Sequence, residues 1–309
     1  MGIIVLLLAL IATAAPGPSP QKRNTRSTQS TPGLGRPGQT KGSVKIVTGQ
    51  TGSVVFLNNV RNGVTSDTGE LNLARINAGP YSVRVRTVGY GDWSARVIVR
   101  AETETRINVK QVRTTDQAVL HYQKGDTLRD SATQDEAVAE YKEALRINPQ
   151  LAEAAIGCAR SLIALQQFED AESLLKRALT SSAGGHFAEA ETVFANLRRS
   201  QGLVDESIGY YRKALSLAHG VSPEANIGLA LALEEKGATD DAIAHFRLGL
   251  AQDMDTEPIL YYLLGRALEK LGRNKEAIEA YGGYLRLDPD GQYSSAVQSI
   301  IEQLKGSKE

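Results

Sequence analysis

The chain is nearly without cysteine: Cys158 is the single thiol among 309 residues. One cysteine excludes an intramolecular disulfide, and its place in a row of small residues marks it as a small buried hydrophobe rather than a nucleophile. Histidine is also scarce. His121, His186, His219 and His245 fall in separate segments, with no H-E-x-x-H pair and no cysteine partner, so no metal-site spacing exists and no metal or cofactor is expected. No G-x-S-x-G elbow occurs. The acidic stretches "LEEKGATDDA" and "DMDTE" sit at a turn and a loop, where caps and solvated faces are commoner than paired catalytic acids. Trp93, the only tryptophan, opens a strand-like run. Lys plus Arg and Asp plus Glu number 35 each, and no nucleic-acid partner is expected. The chain is therefore expected to be no enzyme.

One long apolar run is present, "IIVLLLALIATAA", and it is too short to span a bilayer comfortably. It ends in Ala12-Thr13-Ala14, and residues 1–15 are expected to form a signal peptide that exports the chain, to the periplasm or outside the cell, with no transmembrane span left after cleavage. No positive residue precedes it. Residues 16–42 hold five basic side chains, no acid and no large hydrophobic except Leu34, the composition of a disordered basic linker. Its "GLGRPG" matches a dinucleotide fingerprint only formally, since neither a strand before nor a helix after is possible around Pro37.

From residue 43 to 112 the apolar period is two. "YSVRVRTV", "WSARVIVR" and "TRINVKQV" alternate, with Val83, Val85, Ala95, Val97, Val99, Ile107 and Val109 turned inward. "SVKIV", "SVVFL" and "ELNLARI" supply further strands, and "NNVRNG", "SDTG", "NAGP" and "GYGD" supply turns. A small antiparallel β-sandwich is expected. The run Thr65, Asp67, Gly69, then Gly79-Pro80-Tyr81, then Gly89-Tyr90 resembles the carboxypeptidase-regulatory-like and PEGA-type modules. The resemblance implies a non-catalytic accessory role.

From 114 to 290 the period is 3.6 and a pattern repeats. Gly125, Ala137, Tyr141, Ala144 and Pro149 return as Gly265, Ala277, Tyr281, Tyr284 and Pro289, with weaker copies between them. The second small anchors are 137, 171, 207, 242 and 277, spaced by 34, 36, 35 and 35. This closely resembles the tetratricopeptide repeat (TPR), a helix-turn-helix that stacks into a superhelix, an all-α solenoid. Five repeats are expected, followed over 291–309 by a capping helix and tail in which Val297, Ile300, Ile301 and Leu304 cover the last repeat.

Charge is divided along the chain. Residues 16–112 hold 14 basic and 5 acidic side chains, which leaves 21 and 30 of the 35 of each sign for the rest. If the valines of the sandwich point in, Arg84, Arg86, Arg96, Arg100, Arg106 and Lys110 point out as a basic face. In the solenoid the first helices line the concave side, so a groove of Tyr122, Asp126, Ile156, Arg160, Asn196, Arg199, Ile227, Leu231, Tyr262 and Arg266 is expected to grip an extended peptide or a helix. The resemblance also brings to mind the basic clamp of chaperone-binding members, but Gly157, Gly228, Val193 and Leu263 stand at the neighbouring positions and do not reproduce it. The expectation is an exported scaffold or adaptor with a protein partner; the alternative is a cell-envelope protein that binds a glycan or anionic polymer on its basic β face.

Overall fold

The computed structural model describes residues 41–58, 60–180, 187–252 and 257–306. The expected signal peptide and all but the end of the linker lie outside the described residues. Seven strands come first: β1 (Lys41–Val47), β2 (Val54–Leu57), β3 (Val60–Val64), β4 (Glu70–Asn77), β5 (Gly79–Arg86), β6 (Trp93–Val99) and β7 (Glu104–Asn108). Strand β1 takes in Lys41 and Gly42, so the β region begins ahead of the expected boundary at 43. Two sheets form, ordered β4-β1-β7 and β3-β2-β5-β6. Alternation drives the packing, with Val44, Ile46, Val55, Leu57, Val83, Val85, Val99 and Ile107 forming the shared core.

Two details depart from the sequence reading. Strands β1 and β7 pair in parallel, Ser43 with Glu104 through Val47 with Asn108, so one pair of the sandwich is not antiparallel. The stretch "NNVRNG" is not all turn: Val60–Val64 is a strand on β2, and the register shifts between Val55 and Phe56. That irregularity, with Gly63 at φ 148°, removes the clean alternation by which a strand is read. The T-x-D-x-G turn has a clear cause. Thr65 is buried, donates to the Gln50 carbonyl at 2.7 Å and accepts from the Ser53 amide at 2.9 Å. Gly69 sits at φ 72°, where a Cβ would stand 2.6 Å from the Gln50 nitrogen.

Eleven helices follow among the described residues: α1 (Gln117–Asp130), α2 (Gln134–Ile147), α3 (Ala152–Ala164), α4 (Phe168–Thr180), α5 (Phe187–Ser200), α6 (Val204–Leu217), α7 (Pro223–Glu235), α8 (Thr239–Gln252), α9 (Pro258–Lys270), α10 (Asn274–Leu287) and α11 (Ser294–Gly306). The first ten pack as consecutive hairpins, and α11 lies on α10. Val297, Ile301 and Leu304 of α11 are buried there. Asp116 caps α1, its Oδ1 accepting from the Ala118 amide at 2.9 Å, and Ser222 with Pro223 starts α7.

The small anchors Ala137, Ala171, Ser207, Ala242 and Ala277 are all fully buried. Beside them, Tyr141, Tyr211 and Tyr281 are buried too, and Leu175 and Phe246 take the place in the second and fourth repeats. Gly125 and Gly265 are glycine because of those rings: a Cβ would meet Tyr141 at 2.8 Å and Tyr281 at 2.6 Å. Ala144 and Tyr284 are buried one turn further on, and Pro149 and Pro289 follow the ends of α2 and α10. Successive first helices α1, α3, α5 and α7 touch one another and build the concave wall.

Candidate functional site

The outer face of β2, β3 and β5 does not look into open solvent. It stands across a cleft of about 490 Å³ from the concave wall, with Phe56, Arg61 and Arg84 on one side and Arg160, Asn196 and Glu224 on the other. Such a volume lies within the usual range of binding clefts, about 300–1,000 Å³. Helix α1 joins the two sides. Gln123, buried, donates to the Tyr90 carbonyl at 2.8 Å and accepts from the Gly89 amide at 2.8 Å. One turn on, Asp126 accepts from Arg86 at 2.6 Å, from Arg129 at 2.9 Å and from the Tyr141 hydroxyl at 2.6 Å. Arg86 also lies over the Tyr122 ring, 4.8 Å from its centre. Burial, and then the Asp126 charge, pushes the Tyr141 hydroxyl well above its ordinary pKa, so it stays a donor.

The same design recurs along the floor. Tyr211 donates to Asn196 at 2.5 Å, Asn196 donates to Glu224 at 3.1 Å, and Arg160 grips Glu224 at 2.5 and 2.8 Å. This ties α3, α5 and the start of α7 together across the groove. Arg199, nearly buried, pairs with Glu235 at 2.7 Å. In the fifth repeat the Tyr281 hydroxyl donates to Glu269 at 2.7 Å. Every second repeat therefore sends a tyrosine hydroxyl from its second helix into the polar row of its first.

The expected groove residues separate into three groups. Tyr122, Asp126, Arg160, Asn196, Arg199 and Ile227 line the cleft. Ile156 does not: it is 1% exposed, inside the core, and Gly157 takes the open position beside it. Leu231, Tyr262 and Arg266 lie further along. There Tyr262 stacks on Tyr293 at 4.5 Å, and Arg266 reaches Glu234 at 3.4 Å. The basic row divides as well. Arg84 and Arg86 face the cleft, and Arg96 is exposed on β6 of the same sheet, with Arg100 just beyond it. Arg106 lies on β7 and Lys110 just after it, at the other sheet. The six side chains do not make one face.

Phe56, Arg61, Gln123 and Glu224 were not among the expected residues. Alternation in "SVVFL" puts Phe56 opposite the buried Val55 and so was a usable signal; a lone glutamine on a helix carries none. Gly157 and Gly228 have a structural reason. A Cβ on Gly157 would stand 2.7 Å from the Tyr141 ring, and one on Gly228 would collide with Tyr211. They recur because the tyrosines do. Among the described residues no group of three or more His, Cys, Asp or Glu could hold a metal ion, and no helix is long and apolar enough to cross a membrane.

Comparison with known proteins agrees with this architecture. Residues 41–114 match the PEGA domain, and residues 134–182, 192–257 and 259–290 match tetratricopeptide repeats. No curated protein sequence matches the chain. Among solved structures, the helical part is similar to the APC/C hetero-tetramer Cut9-Hcn1, with 21% identity and a TM-score of 0.54 over 64% of this chain. That match spans 38% of the other chain. It is also similar to PilW, a type IV pilus biogenesis factor, with 17% identity and a TM-score of 0.52 over 63% of this chain and 93% of that one. PilF of Pseudomonas aeruginosa gives 15%, 0.51, 62% and 90% for the same quantities. At these identities the likeness is one of fold.

Proposed function

Starting from the fact that this chain is a tetratricopeptide-repeat protein with a PEGA-type β domain ahead of the repeats, we propose that it is an exported, non-enzymatic adaptor whose concave groove holds a segment of a protein partner. The observation that carries this reading is the cleft itself, walled by the first helices of successive repeats and floored by two hydrogen-bonded clusters, one on Asp126 with Arg86, Arg129 and Tyr141 and one on Glu224 with Arg160 and Asn196. Pre-ordered side chains lose little entropy when a partner docks. The β domain forms the facing wall and is an accessory to the groove. Export rests on the apolar run of residues 3–15.

Site-specific photo-crosslinking tests the groove. A photo-reactive side chain at Val221 or Asn196, both in the lining of the cleft, should give partner adducts, and one at Arg146, an exposed position of α2, should give none. Equal yields at all three positions would contradict the reading.

A further inference from the structure

Strand register sets three side chains in one row. Phe56 of β2 stands opposite Arg61 of β3 on one side and opposite Arg84 of β5 on the other, and all three line the cleft. The Arg84 guanidinium lies 4.4 Å from the centre of the Phe56 ring, which supports it from beneath and leaves its edge for an anion. Neither flanking arginine has a close one. Asp92 is 3.9 Å from Arg84, and Asp130 is 3.9 Å from Arg61, both beyond hydrogen-bonding distance. The Nε of Arg84 is buried with no hydrogen-bond partner.

The opposite wall is different. Asp126 is taken by Arg86 and Arg129, and Glu224 by Arg160 and Asn196. Glu189 shares Arg160 at 3.5 Å, and Glu153 is engaged as well. Glu257 stands at the far end, just before α9. Asp130 accepts from Arg129 at 3.4 Å, so in the near half of the cleft the charges whose counter-ion stands beyond hydrogen-bonding distance are the two arginines of the β wall. Apolar side chains line both walls as well: Val54, Phe56 and Val60 from the strands, and Tyr122, Ile163 and Ile227 from the helices.

We propose that the Arg61-Phe56-Arg84 row is the specificity element of the cleft, and that it selects an acidic, apolar-spaced extended segment of a protein partner. The carboxylates meet the guanidiniums, which suit them as two-pronged donors, and the apolar side chains fill the strip that a bare polyanion would leave wet. An extended segment turns alternate side chains to opposite sides, so its carboxylates can meet the arginines of the β wall while its apolar side chains meet Tyr122, Ile163 and Ile227 of the helices. The assignment rests on the groove reading above and adds to it a partner class and the part the β domain plays.

The test is fluorescence anisotropy on the full chain with three labelled peptides, alternating leucine with aspartate, asparagine or lysine. The aspartate peptide should bind about tenfold more tightly than the asparagine one. That preference should vanish in Arg61→Gln/Arg84→Gln and weaken in Arg84→Lys, which keeps the charge and loses the fork. Both arginines lie outside the β core, so melting curves should be unchanged; a lowered melting point in the glutamine variant shifts the decision to Arg84→Lys. Equal binding of the aspartate and asparagine peptides, or a preference that survives the double variant, overturns the proposal. Tighter binding of alginate oligomers, lost in the same variant, overturns it in favour of an anionic polymer. If no peptide binds, the proposal also falls, and a random peptide library separates the causes: selected sequences without acids leave the groove reading standing, and no selection at all removes both.

Discussion

Arg86 of the sandwich donates to Asp126 of the solenoid at 2.6 Å, with both side chains about 15% exposed. The bond fixes the β sheet over the concave wall, and its acceptor is the same carboxylate that receives Tyr141 and Arg129. Asp126→Ala would leave two guanidiniums and a tyrosine hydroxyl without their shared acceptor. A loss of about 2–5 kcal/mol is expected, together with faster proteolysis in the segment between β7 and α1. Denaturant melts and a proteolysis time course measure both.

Glycine positions separate packing from helix propensity. In Gly157→Ala the new methyl meets the ring of fully buried Tyr141, and overpacking of this kind costs about 1–3 kcal/mol. Gly228→Ala should cost at least as much against Tyr211. Gly209→Ala and Gly282→Ala place a methyl in open space on α6 and α10, and each should stabilise by about 0.4–1 kcal/mol. Thermal midpoints of the four variants should therefore move in opposite directions.

Acid should lower the stability of the solenoid over two pH ranges. Hydrogen bonds from Arg198 and then Lys176 hold the Glu172 carboxyl down to about 2. A depressed carboxylate contributes stability above its unfolded value, about 4.3, and that stability is lost as pH falls from there towards 2. Burial lowers the His245 pKa, and its Nδ1–H donates to the Asn226 Oδ1 at 2.9 Å. Its contribution is complete above about 6.5 and is lost as pH falls below that. Midpoints measured against pH should show both declines, with Glu172→Gln reducing the lower, to which the depressed carboxyls of Glu140 and Glu276 also contribute, and His245→Asn removing the upper.

Cys158 is fully buried in the helical core, and burial pushes its thiol up to about 12. Alkylation by iodoacetamide at pH 8 should be negligible in the native chain and complete in denaturant. Rapid native labelling would contradict the packing of α3.

Much of this was readable because local periodicity carried it. The anchors at 137, 171, 207, 242 and 277 are buried as their spacing demanded, since a helix repeats every 3.6 residues whatever its neighbours. Val83, Val85 and Val99 followed from period two in the same way. What escaped was non-local. That β7 joins the sheet opposite β5, which parts Arg106 from Arg84, depends on a crossing that no alternation encodes. Ile156 and Ile227 were both placed outward, yet both are buried in the helical core and only the second reaches the cleft. The docking of Gln123 on the Gly89-Tyr90 turn had no signal. The separations from Tyr141 to Gly157 and from Tyr211 to Gly228, 16 and 17 residues, did carry one, and it concerned packing rather than a missing clamp.

The central claim is that one cleft, with a wall from each domain, receives the partner. Hydrogen exchange on the full chain, with and without the aspartate peptide at saturation, tests it most directly. The account predicts added protection in β2 and β3, Val54–Leu57 and Val60–Val64, together with the start of α7 near Glu224. Protection confined to the β strands, or to the helices alone, would contradict it.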